Sequence, residues 1–426
     1  MHFRLRIRDA DQIVRVACHN ERNKRTQEEM NDLCILEHGT IIVGDDGKIA
    51  FVGTEAEAST DPRFAGATFD RDLNGHGLSI VPGLVDAHTH PIWAGDRVNE
   101  FAMKLAGATY MDIHKAGGGI GFTVEHTRRA SPEELKTLLE ARLSRMLRAG
   151  TTLAETKSGY GLDLETEVKL LKVLHEVSKT HPIGMVTTYL GAHSVPKGTT
   201  ADAHTRDIVE RHLPELKRLE AQGELHVDNV DLFLERGIFE LGHAREILVA
   251  AQQRGYALNF HGDEMHDMHG AQLAAELKAL AISHLESASP EGIEAMGQAG
   301  THAVLLPTCP YVLKKSNLPY PNARAMIAAH VPIVVASDYN PNAHCLAMPV
   351  VMNLACIQMG LTMPEVLVAS TLNAAASLGR ADRYGSLEVG KEGDLVVVGA
   401  SRWEHLVYEL GDPPVAGVYK AGRCVA

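Results

Sequence analysis

Short apolar runs and amphipathic stretches alternate through the middle of the chain. The apolar runs fall at 80–86, 152–156, 184–190, 230–234, 257–261, 279–284, 303–307 and 333–338. Between them, over 131–149, 164–179, 205–220 and 241–253, apolar positions recur at three- and four-residue spacing, which predicts helices packed on a parallel sheet. The first of these opens on Ser131 with Glu134 three positions on, a capping-box signature. Repeated β/α units of this kind predict an α/β fold, a TIM (β/α)8 barrel, with functional residues on the loops at the strand C-terminal ends. A doubly wound open sheet is the structural rival. However, no Gly-x-Gly-x-x-Gly opens a helix, and the run Gly117, Gly118, Gly119 follows no strand pattern.

Both chain ends read differently. Residues 34–54 place two β-branched runs around Gly44, Asp45, Asp46 and Gly47, a hairpin signal, and residues 385–399 and 415–419 read the same way. Residues 1–33 give nothing beyond one or two edge strands. The expected organisation is a composite β-sandwich of 1–80 and 384–426 around a barrel of 81–383.

Composition narrows the partners. The chain of 426 residues has room for one large domain and a smaller one, with the 45% hydrophobic and 22% charged content of a soluble globular protein. Its 41 Lys and Arg against 54 Asp and Glu give a net charge of −13 with no basic run. That balance argues against nucleic acid or an anionic membrane as partner and leaves a small anionic substrate open. No apolar run is long enough to span a bilayer, and the opening MHFRLRIRD lacks a secretory core, so a cytoplasmic protein is expected. The six cysteines, without a Cys-x-x-Cys, read as free thiols.

Candidate chemistry lies at the strand ends. The first barrel strand ends in His88 and His90, one residue apart and therefore on the same side. The third runs into His193, the fifth ends at His261, the sixth at His284 and the eighth at Asp338. In a barrel all these ends face one mouth. Unpaired imidazoles and carboxylates are costly to bury, and metal coordination accounts for the set. His88, His90, His261 and Asp338 are the expected ligands, three neutral nitrogens and a carboxylate with a position left for water. Glu264, three residues past His261, is placed to act as general base and then as acid. His266 and His269 read as surface histidines. The end of the fourth strand, at Leu232, Phe233 and Leu234, offers no lysine for carboxylation, which favours one metal over two.

The chain resembles the metal-dependent amidohydrolase superfamily through PGLVDAHTH at 82–90, the histidines of the fifth and sixth strands and the aspartate of the eighth. Within it the likeness is closest to the members that open the ring of 4-imidazolone-5-propanoate. That likeness is carried by HPIWAGDR at 90–97, KSGYGLD at 157–163, GAHSVPK at 191–197, NFHGDE at 259–264 and SDYNP at 337–341. The resemblance implies hydrolysis of this cyclic amide to N-formimidoyl-L-glutamate, with one Zn²⁺ or Fe³⁺ per subunit. It places His88, His90, His261 and Asp338 on the metal ligands. Arg97, Tyr110, Tyr160 and His193 fall on substrate-holding positions, and Glu264, His284 and Asp338 on catalytic ones. Asn340 falls beside the carboxylates. Asn342 and Ala343 stand where many bacterial members carry Gly followed by Ser or Thr, as in animal-type members, so their backbone amides are expected in place of a hydroxyl contact. A homodimer is also implied. The alternatives are another cyclic amidohydrolase or a nucleobase deaminase on the same barrel and, from a different class, a catalytically silent scaffold.

Overall fold

The computed structural model describes residues 1–17, 23–107, 118–312 and 319–426. The N-terminal part supplies β1 (His2–Val14), β2 (Ile35–Gly44), β3 (Ile49–Thr54), β4 (Thr68–Asn74) and β5 (Ser79–Pro82). The barrel strands follow in order: β6 (Leu84–Asp86), β7 (Thr151–Lys157), β8 (Gly184–Ala192), β9 (Asn229–Leu234), β10 (Ala257–Gly262), β11 (Ala281–His284), β12 (His302–Leu305) and β13 (Ile333–Val335). The chain ends with β14 (Leu395–Val398), β15 (Val415–Lys420) and β16 (Arg423–Cys424).

Strands from the two chain ends form one sheet in the order β16-β15-β14-β5-β1-β2-β3, with β4 also paired to β1. The β2–β3 hairpin forms where the turn signal lay, with Gly47 at φ +83° donating its N–H to the Gly44 carbonyl at 3.0 Å. β1 corrects the edge-strand reading of the first 33 residues. It is 13 residues long and pairs with β2, β4 and β5. Its sequence alternates Phe3, Leu5 and Ile7, all buried, with Arg4, Arg6 and Arg8. Asp72 of β4 neutralises two of those arginines, meeting Arg6 at 2.5 Å and Arg8 at 3.0 Å. Cross-strand ion pairing is what admits so basic a strand to the interior of a sheet.

The apolar run at 80–86 is not one strand. Ser79–Pro82 pairs with β14, and Leu84–Asp86 then pairs with β7 in the barrel. Gly83 makes the change of sheet, since a Cβ there would lie 2.2 Å from the Thr152 Oγ1. β6 to β13 form a parallel sheet in chain order, and a bridge between Thr89 and Tyr339 brings first and last strands together. Backbone bonds from His90 N–H to the Tyr339 carbonyl (2.8 Å) and Asp338 N–H to the His88 carbonyl (3.1 Å) span that seam. The result is a nearly closed barrel whose seam runs through His88, His90 and Asp338.

The helices cover the barrel as the apolar spacing predicts. Pro132–Arg148 buries Leu135, Leu139, Leu143 and Met146, and Ser131 caps it by accepting the Glu134 N–H at 3.2 Å. Leu164–Ser178 and Leu241–Gln253 lie where expected. The stretch at 205–220 is instead Ala201–Asp207, a π turn at Ile208–His212 and Leu213–Ala221. Pro214 has no N–H for the regular ladder, and the chain widens one turn before it. Among the described residues no helix is long and apolar enough to cross a membrane. Cys309, Cys345, Cys356 and Cys424 are free, but Cys34 is disulfide-bonded, so the reading of all six as free thiols does not hold.

Candidate metal centre

His88, His90, His261 and Asp338 converge at the C-terminal mouth of the barrel, all buried. The His90 Nε2 lies 3.3 Å from the His88 Nε2 and 3.3 Å from that of His261. Asp338 Oδ1 lies 3.6 Å from His88 Nε2 and 3.5 Å from His90 Nε2. Two rings are oriented from behind. His88 Nδ1 bonds the Ser283 Oγ at 2.8 Å, and His261 Nδ1–H donates to Asp231 Oδ1 at 2.9 Å. Asp338 reaches inward from a left-handed backbone, φ +48°.

Burial holds all three imidazoles neutral: His88 well below its ordinary pKa, His90 below it, and His261 at about 4. Asp338 is buried, yet bonds and charge from His90 and its neighbours keep it below the usual carboxylate range. His261 donates through Nδ1, so its Nε2 turns a bare lone pair into the group. Imidazole nitrogens and a carboxylate oxygen turned this closely into one space suit a cation lying among them. Tetrahedral coordination at the usual zinc–nitrogen length of about 2.0–2.1 Å puts ligand nitrogens roughly 3.3 Å apart. The donor set therefore fits a divalent or trivalent transition metal.

Glu264 and His284 form the second part of the site. Asp263, at φ +53°, accepts the N–H groups of Met268 (2.9 Å), Gly270 (2.9 Å) and Ala271 (2.8 Å), and this fixes the turn that presents Glu264. The Glu264 Oε2 lies 3.7 Å from His284 Nε2, and the Cys309 thiol donates to Glu264 Oε1 at 3.5 Å. On the far side, His284 Nδ1 lies 3.6 Å from Glu286 Oε1. Desolvation, only partly opposed by the His284 charge and reinforced by Glu286 and Asp338, lifts Glu264 to about 7. Burial opposes charging of His284, but the carboxylates on either side outweigh it and raise the ring to about 10. The site thus pairs a carboxyl group that changes hands with protons near neutrality and an imidazolium.

The positions expected from the sequence to hold substrate are drawn together to different degrees. His193 stacks on His90, with ring centroids 5.0 Å apart, and gives its Nδ1–H to the Gly159 carbonyl at 3.0 Å. Tyr160 is buried beside it, ring centroids 5.3 Å apart. Its loop is held by Glu167, which accepts N–H groups from Gly159 (3.1 Å), Gly161 (2.7 Å) and Leu162 (2.9 Å). Arg97 sits at the start of the helix Val98–Leu105, its Nη2 2.7 Å from Glu100 Oε2 and its buried Nε without a partner among the described residues. Arg142 secures the preceding loop. It donates to the Pro91 and Trp93 carbonyls at 2.9 and 2.8 Å, with its guanidinium 3.4 Å above the Trp93 ring. Tyr110 lies outside the described residues.

Asn340, Asn342 and Ala343 form a closed turn. Asn340 Oδ1 accepts the amide N–H of Asn342 at 2.7 Å and of Ala343 at 3.0 Å, so both amides are already engaged. Lys104, on the Arg97 helix, donates to the Asn342 Oδ1 and ties the two loops together. His266 bonds Glu235 at 2.6 Å, and His269 is a surface residue.

Several residues of the site were not singled out from the sequence. These are Glu155, Lys157, Glu167, Asp231, Ser283, Glu286 and Cys309. A signal existed for some: Glu155 and Lys157 in β7, and Asp231 in β9, are charges inside strands that carry no other charge and are covered on both faces. Such charges face the barrel interior and need partners there.

Residues 79–425 match the amidohydrolase family. A probable imidazolonepropionase of Danio rerio is 54% identical over 409 residues, covering 96% of this chain and 93% of that protein. The probable imidazolonepropionase of Homo sapiens is 52% identical over 407 residues (96% and 94%), and that of Dictyostelium discoideum 50% over 424 residues (99% and 98%). Among solved structures, an adenosine deaminase from Xanthomonas campestris with bound zinc is similar at a TM-score of 0.73 and 20% identity, covering 99% of this chain and 93% of that one. An atrazine chlorohydrolase from Arthrobacter aurescens complexed with zinc gives 0.72 and 16%, covering 100% and 95%. At those identities the structural likeness concerns the fold.

Proposed function

The chain belongs to the amidohydrolase family, and from that premise we propose that it is an imidazolonepropionase, hydrolysing 4-imidazolone-5-propanoate to N-formimidoyl-L-glutamate. The observation that carries this reading is identity above one half with relatives of that name over nearly the whole chain. The geometry supports it with a metal-fit cage, a carboxyl group poised near neutrality and a cationic anchor in one barrel mouth.

His88, His90, His261 and Asp338 would hold one Zn²⁺ or Fe³⁺ per subunit, which when bound lowers the pKa of a water and polarises a carbonyl. The reaction adds water oxygen to the ring carbonyl carbon and breaks the adjacent carbon–nitrogen bond. Glu264 takes the proton from the attacking water and passes it to the departing ring nitrogen, a shuttle suited to a pKa of about 7. Asp338 shares that proton as it moves. The His284 imidazolium offers Nε2–H to the carbonyl oxygen as negative charge grows there.

His193 gives its Nδ1–H to Gly159, which leaves Nε2 as an acceptor for a ring N–H. Burial keeps Tyr160 protonated, so its hydroxyl donates to the substrate, and Tyr110 has the same role. Arg97 pairs with the propanoate through the N–H groups that Glu100 leaves free. The turn of Asn340, Asn342 and Ala343 walls the tail end of the pocket.

The working form is a homodimer in the cytoplasm, to be checked by sedimentation. Exposed Ile357 and Tyr408, on helices that pack together, favour a covered face there. The second reading, a nucleobase deaminase or another cyclic amidohydrolase, needs a pocket for a neutral ring, and Arg97 argues against it. Comparing kcat/KM for 4-imidazolone-5-propanoate with that for hydantoin, guanine and cytosine separates the two. A preference for any neutral ring overturns the assignment.

A further inference from the structure

The Lys157 ammonium is fully enclosed inside the barrel, and no step above uses it. Its Nζ lies 2.7 Å from Asp231 Oδ2 and 2.7 Å from Glu155 Oε2. An amine held between two carboxylates at these distances is an ammonium, so it is not a nucleophile for carboxylation and not a metal bridge. Each carboxylate turns one oxygen to it and has other donors on the second oxygen. Glu155 has further partners, accepting Thr188 Oγ1–H at 2.6 Å and Asn259 Nδ2–H at 3.3 Å on Oε1. Asp231 divides its oxygens: Oδ1 takes the His261 Nδ1–H (2.9 Å) and backbone N–H (3.0 Å), and Oδ2 takes Lys157.

This forms a chain of contacts inside the barrel that starts on β7, passes over β8 to β9 and continues to the neighbouring β10, ending at the Nε2 lone pair of His261. Without the ammonium, Asp231 would stand beside Glu155 in a space closed to water, with Oδ2 unpartnered. Reorientation of the carboxylate toward any remaining donor would then release the imidazole. We propose that Lys157 is a positioning residue for the metal centre: it locks the Asp231 carboxylate, and Asp231 in turn fixes the His261 tautomer whose Nε2 completes the cage. This rests on reading His88, His90, His261 and Asp338 as metal ligands.

The test is the zinc dissociation constant, measured by competition with a chromophoric chelator, for wild type, Lys157→Met, Asp231→Asn and the double variant. Methionine keeps the length of the stem and removes the charge. Outer partners of ligating histidines are typically worth about 10- to 100-fold in affinity. Each single variant is expected to weaken zinc binding by about that factor, and the double variant to be no weaker than Asp231→Asn alone. Multiplying losses in the double variant would overturn the proposal, as would a Lys157→Met protein that melts earlier but binds zinc normally. Wild type that fails to bind zinc would instead remove the metal-cage reading beneath it. If Lys157→Met does not fold, ¹⁵N imidazole spectra of metal-free wild type decide. A slowly exchanging His261 Nδ1–H with unprotonated Nε2 supports the proposal, and the opposite tautomer overturns it.

Discussion

Replacing Arg97 with alanine tests the group proposed to distinguish an acidic imidazolone from a neutral ring. Its side chain is only 10% exposed and its Nη2 is committed to Glu100, also 10% exposed. Glu100 is itself fixed, accepting the Gly119 N–H at 2.8 Å. The fork is therefore pre-oriented, with a buried Nε unpartnered among the described residues. Truncation removes a charge-assisted pair to the propanoate and leaves the Glu100 carboxylate facing the substrate's own negative charge. Losing one partner of a desolvated, hydrogen-bonded ion pair costs about 2–5 kcal/mol, or roughly 30- to several-thousand-fold at 1.4 kcal/mol per decade. The propanoate does not take part in bond breaking, so the loss belongs to substrate binding. Steady-state kinetics of Arg97→Ala should show KM raised at least 30-fold, kcat within a few-fold and metal content unchanged. Arg97→Lys keeps the charge without the fork and should recover part of the loss. An unchanged KM in metal-replete Arg97→Ala protein would remove Arg97 from the substrate site.

Other outcomes follow from the same geometry. Glu264→Gln should lower kcat by about 10²–10⁴-fold with metal still bound, because it removes the proton carrier and keeps its shape; a mild effect would assign the proton to another group. With Glu264 at about 7 and active as base only when ionised, kcat/KM should fall tenfold per unit as pH drops below about 7 and level off above it. A rate that rises on acidification through that range would contradict the assignment. Glu167→Ala leaves three N–H groups of the Tyr160 loop without their acceptor, at about 1–3 kcal/mol each before water intervenes. It should lower the melting temperature and raise KM together, and an unaltered KM would detach that loop from the substrate. A metal bound only by the folded chain adds about 4 kcal/mol at a thousandfold excess over its Kd. Chelation should thus lower the melting temperature, and zinc or iron should restore it; a melt indifferent to chelator would mean that the cage is empty.

The four residues that converge at the barrel mouth were legible because their signal is local. One-residue spacing puts His88 and His90 on one side of the extended chain just past β6, and the other members stand where apolar strands stop. The barrel was legible for the same reason, each unit being a short run followed by an amphipathic stretch. What escaped depends on distance in the chain. Ser283, which orients His88, lies 195 positions away, and Asp231, which holds Lys157, lies 74 away. No spacing rule connects such pairs before the strands are closed into a barrel. The change of sheet at Gly83 was hidden for another reason: β5 and β6 are both fully buried, so hydropathy runs through the break without interruption. β1 was hidden by its arginines, which read as an exposed edge until β4 supplies Asp72. The amides of Asn342 and Ala343 show the limit of reasoning by position, since Asn340 takes both into its own turn.

The most direct measurement is the ultraviolet loss of enzymatically generated 4-imidazolone-5-propanoate on adding metal-replete protein, with Glu264→Ala as control and the product identified by mass. The account predicts that wild type accelerates the loss and yields N-formimidoyl-L-glutamate, while the variant leaves only spontaneous decay. Decay at the spontaneous rate with wild type, or equal rates for wild type and variant, would contradict it.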